Sequence, residues 1–202
     1  MRKTSFGEST SYSFLEKFGT FLSTRQINKL FKNFDQMTVA DFGCGYNAAL
    51  SIRKAKRIKK LILLDVKLNP SFQEIENIEC IEGYLPHAAQ SIPEKSIDFI
   101  LLNNVLEHVV ESQELLIACH RLLNDQGLLY INVPSWFGKN FLEFAAFKLR
   151  MSNSEEIMDH KNYYNKKDLW PLLVRAGFNP KNIKMKASKF FMNTTAYCKI
   201  SL

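Results

Sequence analysis

The pattern of apolar positions along the chain changes near residue 36. In the first 36 residues, apolar side chains recur three and four positions apart, which places them on one side of a helix. These residues are Phe14, Leu15, Phe18, Phe21, Leu22, Ile27, Leu30, Phe31 and Phe34. Residues 1–36 are therefore predicted to form a helical N-terminal extension.

From residue 39 onward, short apolar runs alternate with amphipathic segments. Five runs have the length and composition of buried strands: Val39–Phe42, Leu61–Val66, Ile78–Ile81, Ile97–Leu102 and Gly127–Val133. The segments between them have helical patterns: Ala48–Arg57, Ser71–Glu76, Pro86–Ser91 and Ser112–Leu123. Regular alternation of this kind predicts a parallel sheet with helices on both faces.

The last third of the chain departs from this alternation. Residues 136–165 are aromatic-rich and amphipathic, and are predicted to form a helical lid inserted after the fifth strand. A helix over residues 166–176 should end at Gly177. Two strand-like runs, Asn182–Ala187 and Phe190–Ile200, follow without a helix between them and predict an antiparallel hairpin. The pattern predicts one α/β domain over residues 1–202, with a doubly wound sheet of seven strands, mostly parallel.

Composition is typical of a globular intracellular domain. The 202 residues are 46% hydrophobic, and no apolar run reaches the roughly 18 residues of a membrane-spanning helix. The N-terminus lacks the apolar segment of a secretory signal. The four cysteines are scattered without a C-x-x-C pair. Disulfides and a zinc site are therefore disfavoured, and a cytoplasmic location is expected.

The chain is basic, with 27 Lys and Arg against 20 Asp and Glu, a formal charge of +7 and a pI near 9.2. Such a balance suits an anionic partner, including nucleic acid, or only a lysine-rich surface. The densest basic cluster covers residues 53–60. It falls at the end of the first predicted connecting helix, remote from the expected ligand, and we interpret it as a solvated face.

The most informative segment for function joins the first predicted strand to the next helix. Gly43 and Gly45 lie in it, and glycine lets a ligand approach the bare backbone. Asp65 ends the second predicted strand, about 20 residues further on, where nucleoside-binding βαβ units place the acid that binds a ribose. This combination predicts a nucleoside site.

Several motifs in consistent order resemble the class I S-adenosylmethionine-dependent methyltransferases. The segment Asp41-Phe42-Gly43-Cys44-Gly45 resembles the first motif of that family, and Asp65 resembles its ribose acid. Residues 96–109 resemble the fourth-strand motif, and residues 121–134 resemble the turn and fifth strand. The resemblance, which extends from about residue 39 to the end, implies a Rossmann-like sheet closed by the C-terminal hairpin. It also implies S-adenosyl-L-methionine as cofactor and S-adenosyl-L-homocysteine as product.

The two carboxylates favour this cofactor over a dinucleotide. Asp41 lies beside the glycine turn, where a negative charge suits the cationic end of the methyl donor and would repel a phosphate. Asp65 can accept charge-assisted hydrogen bonds from both ribose hydroxyls. A metal ion is not part of the predicted chemistry.

The remaining cofactor contacts follow from the resemblance. It implies that backbone groups around Gly43, Gly45 and Asn103 position the methionine moiety, and that Leu85 packs against the adenine. Two positions depart from the family pattern. Asn47, preceded by Tyr46, stands where another glycine is usual, although asparagine tolerates left-handed dihedral angles. The segment 83–85 lacks the acid that often holds the adenine amino group.

The acceptor side of the site is less defined. A loose resemblance to members acting on small molecules or surface-glycan precursors rests on His160 with Tyr163 and Tyr164. His160 is a candidate catalytic base, because histidine titrates near neutrality, or a hydrogen-bonding lid residue. Trp136 and Phe137 are candidate lid or substrate residues, as are Tyr163 and Tyr164.

The predicted function is methyl transfer to a small-molecule, lipid-linked or glycan-precursor acceptor. Three alternatives stay open. An RNA or protein methyltransferase is suggested by the +7 charge, although no RNA-binding module is evident. An NAD(P)-dependent oxidoreductase is disfavoured by Asp41, by the incomplete glycine pattern and by the closing hairpin. A non-catalytic cofactor-binding protein is compatible with the departures at Tyr46, Asn47 and Tyr84. The oligomeric state is not predicted.

Overall fold

The described part of the chain forms one sheet of seven strands. The computed structural model describes residues 5–8, 14–30, 35–143 and 161–201. The strands are β1 Thr38–Phe42, β2 Lys60–Asp65, β3 Ile78–Glu82, β4 Ile97–Asn103, β5 Leu123–Pro134, β6 Ile183–Ser188 and β7 Asn193–Lys199. Their order is β3-β2-β1-β4-β5-β7-β6. Strands β1 to β5 are parallel, and β7 pairs antiparallel with both β5 and β6. The predicted fold class, including the C-terminal hairpin, is confirmed.

The strand order reverses direction at β1, which pairs with β2 on one side and β4 on the other. At such a switch point the connections leave toward opposite faces and open a crevice outside the carboxyl ends of the strands. Phe42, at the end of β1, pairs with Leu64 and with Leu102. The segments that follow these three strands therefore lie together at one edge.

Helices cover both faces of the sheet, as predicted. The α-helices among the described residues are α1 Phe14–Leu30, α2 Ser112–Leu122, α3 Trp136–Glu143 and α4 Lys166–Arg175. Leu115 of α2 and Leu169 of α4 are buried in the core on one face. Ile27 of α1 is buried on the other face, together with Phe99 and Leu101. Gly177, with φ +103°, follows the last turn of α4 and supports the predicted end of that helix.

Three predicted connecting helices are shorter than expected. In place of Ala48–Arg57, Ser71–Glu76 and Pro86–Ser91, the structure has 3-10 turns at Ile52–Arg57, Pro70–Glu74 and His87–Ser91. In the first case Ala48 has φ +42°, which no continuous right-handed helix can contain. The other two segments have too few residues for the costly nucleation of an α-helix to be offset.

The N-terminal prediction needs one correction. Residues 14–30 are helical, but Ser5–Glu8 form a turn that contacts the loop after β1. Hydrogen bonds to that loop replace the intrahelical bonds that a helix would have made. The predicted lid begins as a helix at Trp136, and residues 144–160 lie outside the described part. In the described ranges, no helix combines the length and apolar character needed to cross a membrane.

Candidate active site

The glycine loop after β1 has a backbone that requires glycine at two positions. Gly43 and Gly45 have φ +67° and +74°. A Cβ on Gly43 would lie 2.5 Å from Cγ2 of Val105, and one on Gly45 would lie 2.9 Å from the carbonyl oxygen of Phe6. In this structure the atoms that lie closest to the two glycines belong to the protein itself, and the predicted approach of a ligand stays a prediction.

Asp65 lies across from this loop at the end of β2. Its Oδ2 accepts a hydrogen bond from the backbone N–H of Gly45 at 2.8 Å. Its Oδ1 accepts from Val66 N–H at 2.7 Å and from the Ser5 hydroxyl at 2.6 Å. Asp65 and the glycine loop, which the sequence predicts to bind one nucleoside, are in direct contact through the backbone of Gly45.

Asp41 is buried beneath the loop, with 2% of its surface exposed. The Ser51 hydroxyl donates to its Oδ2 at 2.6 Å. Burial raises the pKa of Asp41 to about 7, the Ser51 hydrogen bond opposes that shift, and the charge of Asp65 adds to it. This carboxyl group is therefore poised between its neutral and ionised forms near neutral pH, and a nearby positive charge would favour ionisation.

Asn103 ends β4 at the same edge, and Asn104 follows with φ +57°. The buried Asn132 of β5 donates from Nδ2 to Oδ1 of Asn103 at 3.2 Å and to Oδ1 of Asn104 at 3.0 Å. These bonds hold two amide side chains at the carboxyl end of the central strands. Asn103 thus lies at the carboxyl edge, with its side chain fixed.

The amide cluster extends across the sheet to α1. Oδ1 of Asn132 accepts from the hydroxyls of Thr195 at 3.2 Å and Ser188 at 3.4 Å. Gln26 of α1 donates to the Thr195 hydroxyl at 3.3 Å. Sequence reasoning missed Asn132 and Thr195. The available signal was a polar residue inside the otherwise apolar run of β5, which a buried strand tolerates only when its amide is hydrogen-bonded.

The loop after β3 closes one side of the crevice. The backbone N–H of Gly83 donates to the carbonyl of Asp65 at 2.9 Å, which holds this loop against the end of β2. Leu85 is half-buried and packs against the core. Leu85, the predicted adenine-packing residue, therefore lies in a loop that is anchored by the backbone of Asp65.

Aromatic side chains project from the start of α3. Phe137 is 62% exposed and Trp136 is half exposed. The rings of Trp136 and Tyr163 lie 5.6 Å apart. The Lys139 amino group lies 5.5 Å from the Trp136 ring and 5.6 Å from the Tyr163 ring. Two of the four predicted lid or substrate residues, Trp136 and Tyr163, are thus in contact, and Phe137 is exposed beside them in the sequence.

The fourth, Tyr164, has a different environment. It is buried in the core, and its hydroxyl lies 2.9 Å from that of Ser112 in α2. This placement gives Tyr164 a packing role beneath the aromatic surface. His160, the candidate base, lies outside the described residues.

A buried acid and a half-buried amine, Glu107 and Lys189, form a second feature that the sequence did not identify as a unit. Glu107 follows β4, is 1% exposed, and its Oε2 has no hydrogen-bond partner among the described residues. Burial raises the pKa of Glu107 to about 8, while burial lowers the pKa of Lys189 to about 8. Each charge partly offsets the shift of the other. Lys189 had no sequence signal, because it lies in the turn between β6 and β7.

The backbone around Glu107 connects this feature to the aromatic surface. Its carbonyl accepts from Lys161 N–H at 2.7 Å and from Asn162 N–H at 3.2 Å. Across the described ranges, no group of three His, Cys, Asp or Glu side chains is placed to hold a metal ion.

Comparison with known proteins gives the family. A sequence profile described as a methyltransferase domain matches residues 15–182. No curated protein matches the sequence. Among solved structures, a SAM dependent methyltransferase from Archaeoglobus fulgidus has a TM-score of 0.64 at 16% identity, covering 92% of this chain and 99% of that one.

Two further structures have the same fold. The magnesium protoporphyrin IX methyltransferase of Synechocystis, solved with bound SAH, has a TM-score of 0.65 at 16% identity, covering 96% of this chain and 90% of that one. A candidate O-methyltransferase from Nostoc punctiforme has a TM-score of 0.61 at 14% identity, covering 91% of this chain. This chain spans 59% of the Nostoc protein. With the profile match over most of its length, the chain belongs to the methyltransferase-domain family and has the fold of the class I S-adenosylmethionine-dependent methyltransferases.

Proposed function

We propose that this protein transfers a methyl group from S-adenosyl-L-methionine to a small-molecule, lipid-linked or glycan-precursor acceptor. The observation that carries the proposal is the carboxylate of Asp65, hydrogen-bonded to Gly45 at the switch point of the sheet. An acid at the end of the second strand, facing a glycine loop, suits the two hydroxyls of a ribose.

The charges around the loop suit a cationic nucleoside. The charge of Asp65 raises the pKa of Asp41, so the two carboxyl groups lie close together and the loop carries negative potential when both are ionised. A pyrophosphate would be repelled there, which counts against an NAD(P)-dependent oxidoreductase. A positively charged group would instead stabilise the ionised form of Asp41.

The cofactor, when bound, supplies a methyl group already activated by the positive sulfur. The protein then has to align an acceptor atom with that methyl, exclude water and, for a hydroxyl or amine acceptor, remove a proton. Asn103 and Asn104 are held in place near the crevice by Asn132. Glu107 and Lys189, like His160, are candidates for holding the proton.

The acceptor assignment rests on the surface at the start of α3. Trp136, Phe137 and Tyr163 offer aromatic contacts suited to an organic molecule, with Lys139 adding a positive charge. One structurally similar protein is named for a small-molecule substrate, magnesium protoporphyrin IX.

All four cysteines are free thiols, which supports a reducing, cytoplasmic setting for the reaction.

Isothermal titration of the purified chain tests the proposal. We expect S-adenosyl-L-homocysteine to bind with micromolar affinity and NADH not to bind. Asp65→Asn should weaken binding at least about tenfold, because a charge-assisted bond to the ribose is lost. Asp125→Asn, at an exposed ion pair with Lys95 near the opposite edge, is the matched control and should bind normally. Binding of NADH instead, or equal affinity in both variants, would contradict the proposal.

A further inference from the structure

We propose that the segment Ser5–Glu8, here called the strap, is an intramolecular competitor for the nucleoside, and that it leaves the ribose end of the crevice when the cofactor binds. The inference rests on the proposed function and adds a regulatory contact to the same site. The strap contacts the two features to which the nucleoside is assigned, the acid at the end of β2 and the glycine loop after β1.

The first contact occupies the ribose acid. Oδ1 of Asp65 accepts from the Ser5 hydroxyl at 2.6 Å and from the backbone N–H of Val66 at 2.7 Å. Oδ2 accepts from Gly45 N–H at 2.8 Å. Since each carboxylate oxygen has two lone pairs, Oδ1 is filled and Oδ2 has one site left. A ribose presents two hydroxyl donors, so bidentate binding requires the place that the Ser5 hydroxyl now holds.

The second contact occupies the glycine loop. The carbonyl oxygen of Phe6 accepts from Tyr46 N–H at 2.8 Å and lies 2.9 Å from the position of a Cβ on Gly45. Strap backbone therefore lies directly on the face that glycine leaves open. The Ser5 hydroxyl on Asp65 and the Phe6 carbonyl on the glycine loop thus occupy the end of the crevice where the ribose is proposed to bind.

Further contacts keep the strap between the loops that follow β1 and β2. The Gly7 carbonyl accepts from Nδ2 of Asn47 at 3.1 Å. The backbone N–H of Lys67 donates to the Ser5 hydroxyl at 2.7 Å, and the Lys67 amino group forms an ion pair with Glu8. Ser5 is buried, whereas the contacts of Gly7 and of Glu8 with Lys67 are near solvent. None of these polar contacts involves a residue of the apolar core, so they can break without disturbing that core.

Because the strap and the nucleoside compete for the carboxylate of Asp65, opening of the strap and binding of the nucleoside are thermodynamically linked. A nucleoside that binds only when the strap is open has an apparent affinity reduced by the open fraction, and its binding must increase that fraction. If the strap competes with the nucleoside, weakening the strap must increase the affinity for the nucleoside. If the strap instead closes over a bound cofactor, weakening it must decrease that affinity. The direction of the change therefore distinguishes the two roles.

The test is titration of S-adenosyl-L-homocysteine into the wild type, Ser5→Ala and a variant lacking residues 2–8. Ser5→Ala should bind roughly fivefold more tightly, the factor that corresponds to one lost hydrogen bond of the competitor. The deletion should bind more tightly still. Ser96→Ala, which removes a hydroxyl bonded to Pro93 at the amino end of β4, is the control and should bind as the wild type does.

Hydrogen exchange gives a second readout. Adding S-adenosyl-L-homocysteine to the wild type should speed exchange of the Glu8 amide, whose bond to the Ser5 carbonyl closes the strap turn. Unchanged or weaker binding by Ser5→Ala and by the deletion, or slower exchange in the strap, would overturn the proposal while leaving the cofactor assignment intact. Absence of nucleoside binding in the wild type and the deletion alike would overturn both.

Discussion

Asp41 and Asp65 lie at the same loop in opposite environments. Asp65 is fixed by three hydrogen bonds, two of them from backbone N–H groups, whereas Asp41 is buried with one hydroxyl partner. Burial therefore raises the pKa of Asp41 to about 7. The sequence placed both acids at the loop, but it could not distinguish the half-buried Asp65 from the buried Asp41, because burial depends on how Ser51 and the loop fold over the carboxyl group.

The first prediction concerns the pH dependence of cofactor binding. If the cationic end of the cofactor interacts with ionised Asp41, binding must weaken as pH falls through the pKa of about 7. Between pH 8 and pH 6 the affinity for S-adenosyl-L-homocysteine should fall roughly tenfold. Titration calorimetry at several pH values measures this. Asp41→Asn should bind S-adenosyl-L-homocysteine weakly at every pH, and its affinity should not change with pH. If the affinity of the wild type were equally independent of pH, Asp41 would have a role in loop structure alone.

The second prediction concerns Glu107 and stability. Its pKa rises from an ordinary 4.5 to about 8 on folding, so the folded state favours the protonated form. The stabilisation is complete below pH 4.5 and is lost as pH rises through 8. Relative to Glu107→Gln, the wild type should therefore lose several degrees of Tm between pH 5 and pH 7.5.

Thermal unfolding of Glu107→Gln and of Glu94→Gln, an exposed control, measures this difference. Lys189 has a folded pKa of about 8, so it begins to lose its proton only at the upper end of that range and adds little slope. Parallel Tm curves for the wild type and Glu107→Gln would show that Glu107 is ionised in the folded protein.

At the scale of elements, the apolar runs predicted the strands well. All seven strands and the hairpin occur near the predicted positions, because a buried parallel strand must be almost wholly apolar. The connecting segments were predicted less well. A left-handed residue at Ala48 and the short span of the other two connections convert helices into 3-10 turns. Neither effect changes the amphipathic pattern, so the pattern alone does not reveal them.

The strap and the amide cluster illustrate what local patterns omit. Ser5 contacts Asp65 across 60 positions of sequence, and Asn132 contacts Asn103 across 29. Periodicity describes neighbours along the chain, whereas these contacts follow from how the ends of separate strands are brought together. The glycine loop and the acid were recognisable only because their spacing lies within one βαβ unit.

The third prediction tests the packing of the glycine loop. Gly43→Ala should destabilise the protein by about 2 kcal/mol, because the residue has φ +67° and the new Cβ would overlap Val105. Val105→Ala in the same chain should restore part of that loss. Gly19→Ala, in α1 with no atom within 4 Å of the new Cβ, is the control and should be stabilising by about 0.5–1 kcal/mol. Urea unfolding of the four chains gives the values; no loss in Gly43→Ala would show that the loop moves freely.

At the scale of the whole molecule, the densest basic cluster lies away from the crevice. The cluster at residues 53–60 leads into the amino end of β2, as the sequence interpretation expected. Arg57 pairs with Asp35 at 2.9 Å and Lys60 pairs with Glu79 at 2.6 Å. The glycine loop, Asp65 and Asn103 lie at the opposite, carboxyl edge. The densest basic cluster is thus separated from the glycine loop, whose described neighbours are mainly acids and amides.

The most direct measurement of the central claim is a crystal structure of the protein with S-adenosyl-L-homocysteine. We predict that both ribose hydroxyls donate to the carboxylate of Asp65, with the Ser5 hydroxyl displaced from Oδ1. A crevice that stays empty at saturating ligand, or a nucleoside bound away from Asp65 and the glycine loop, would contradict the account.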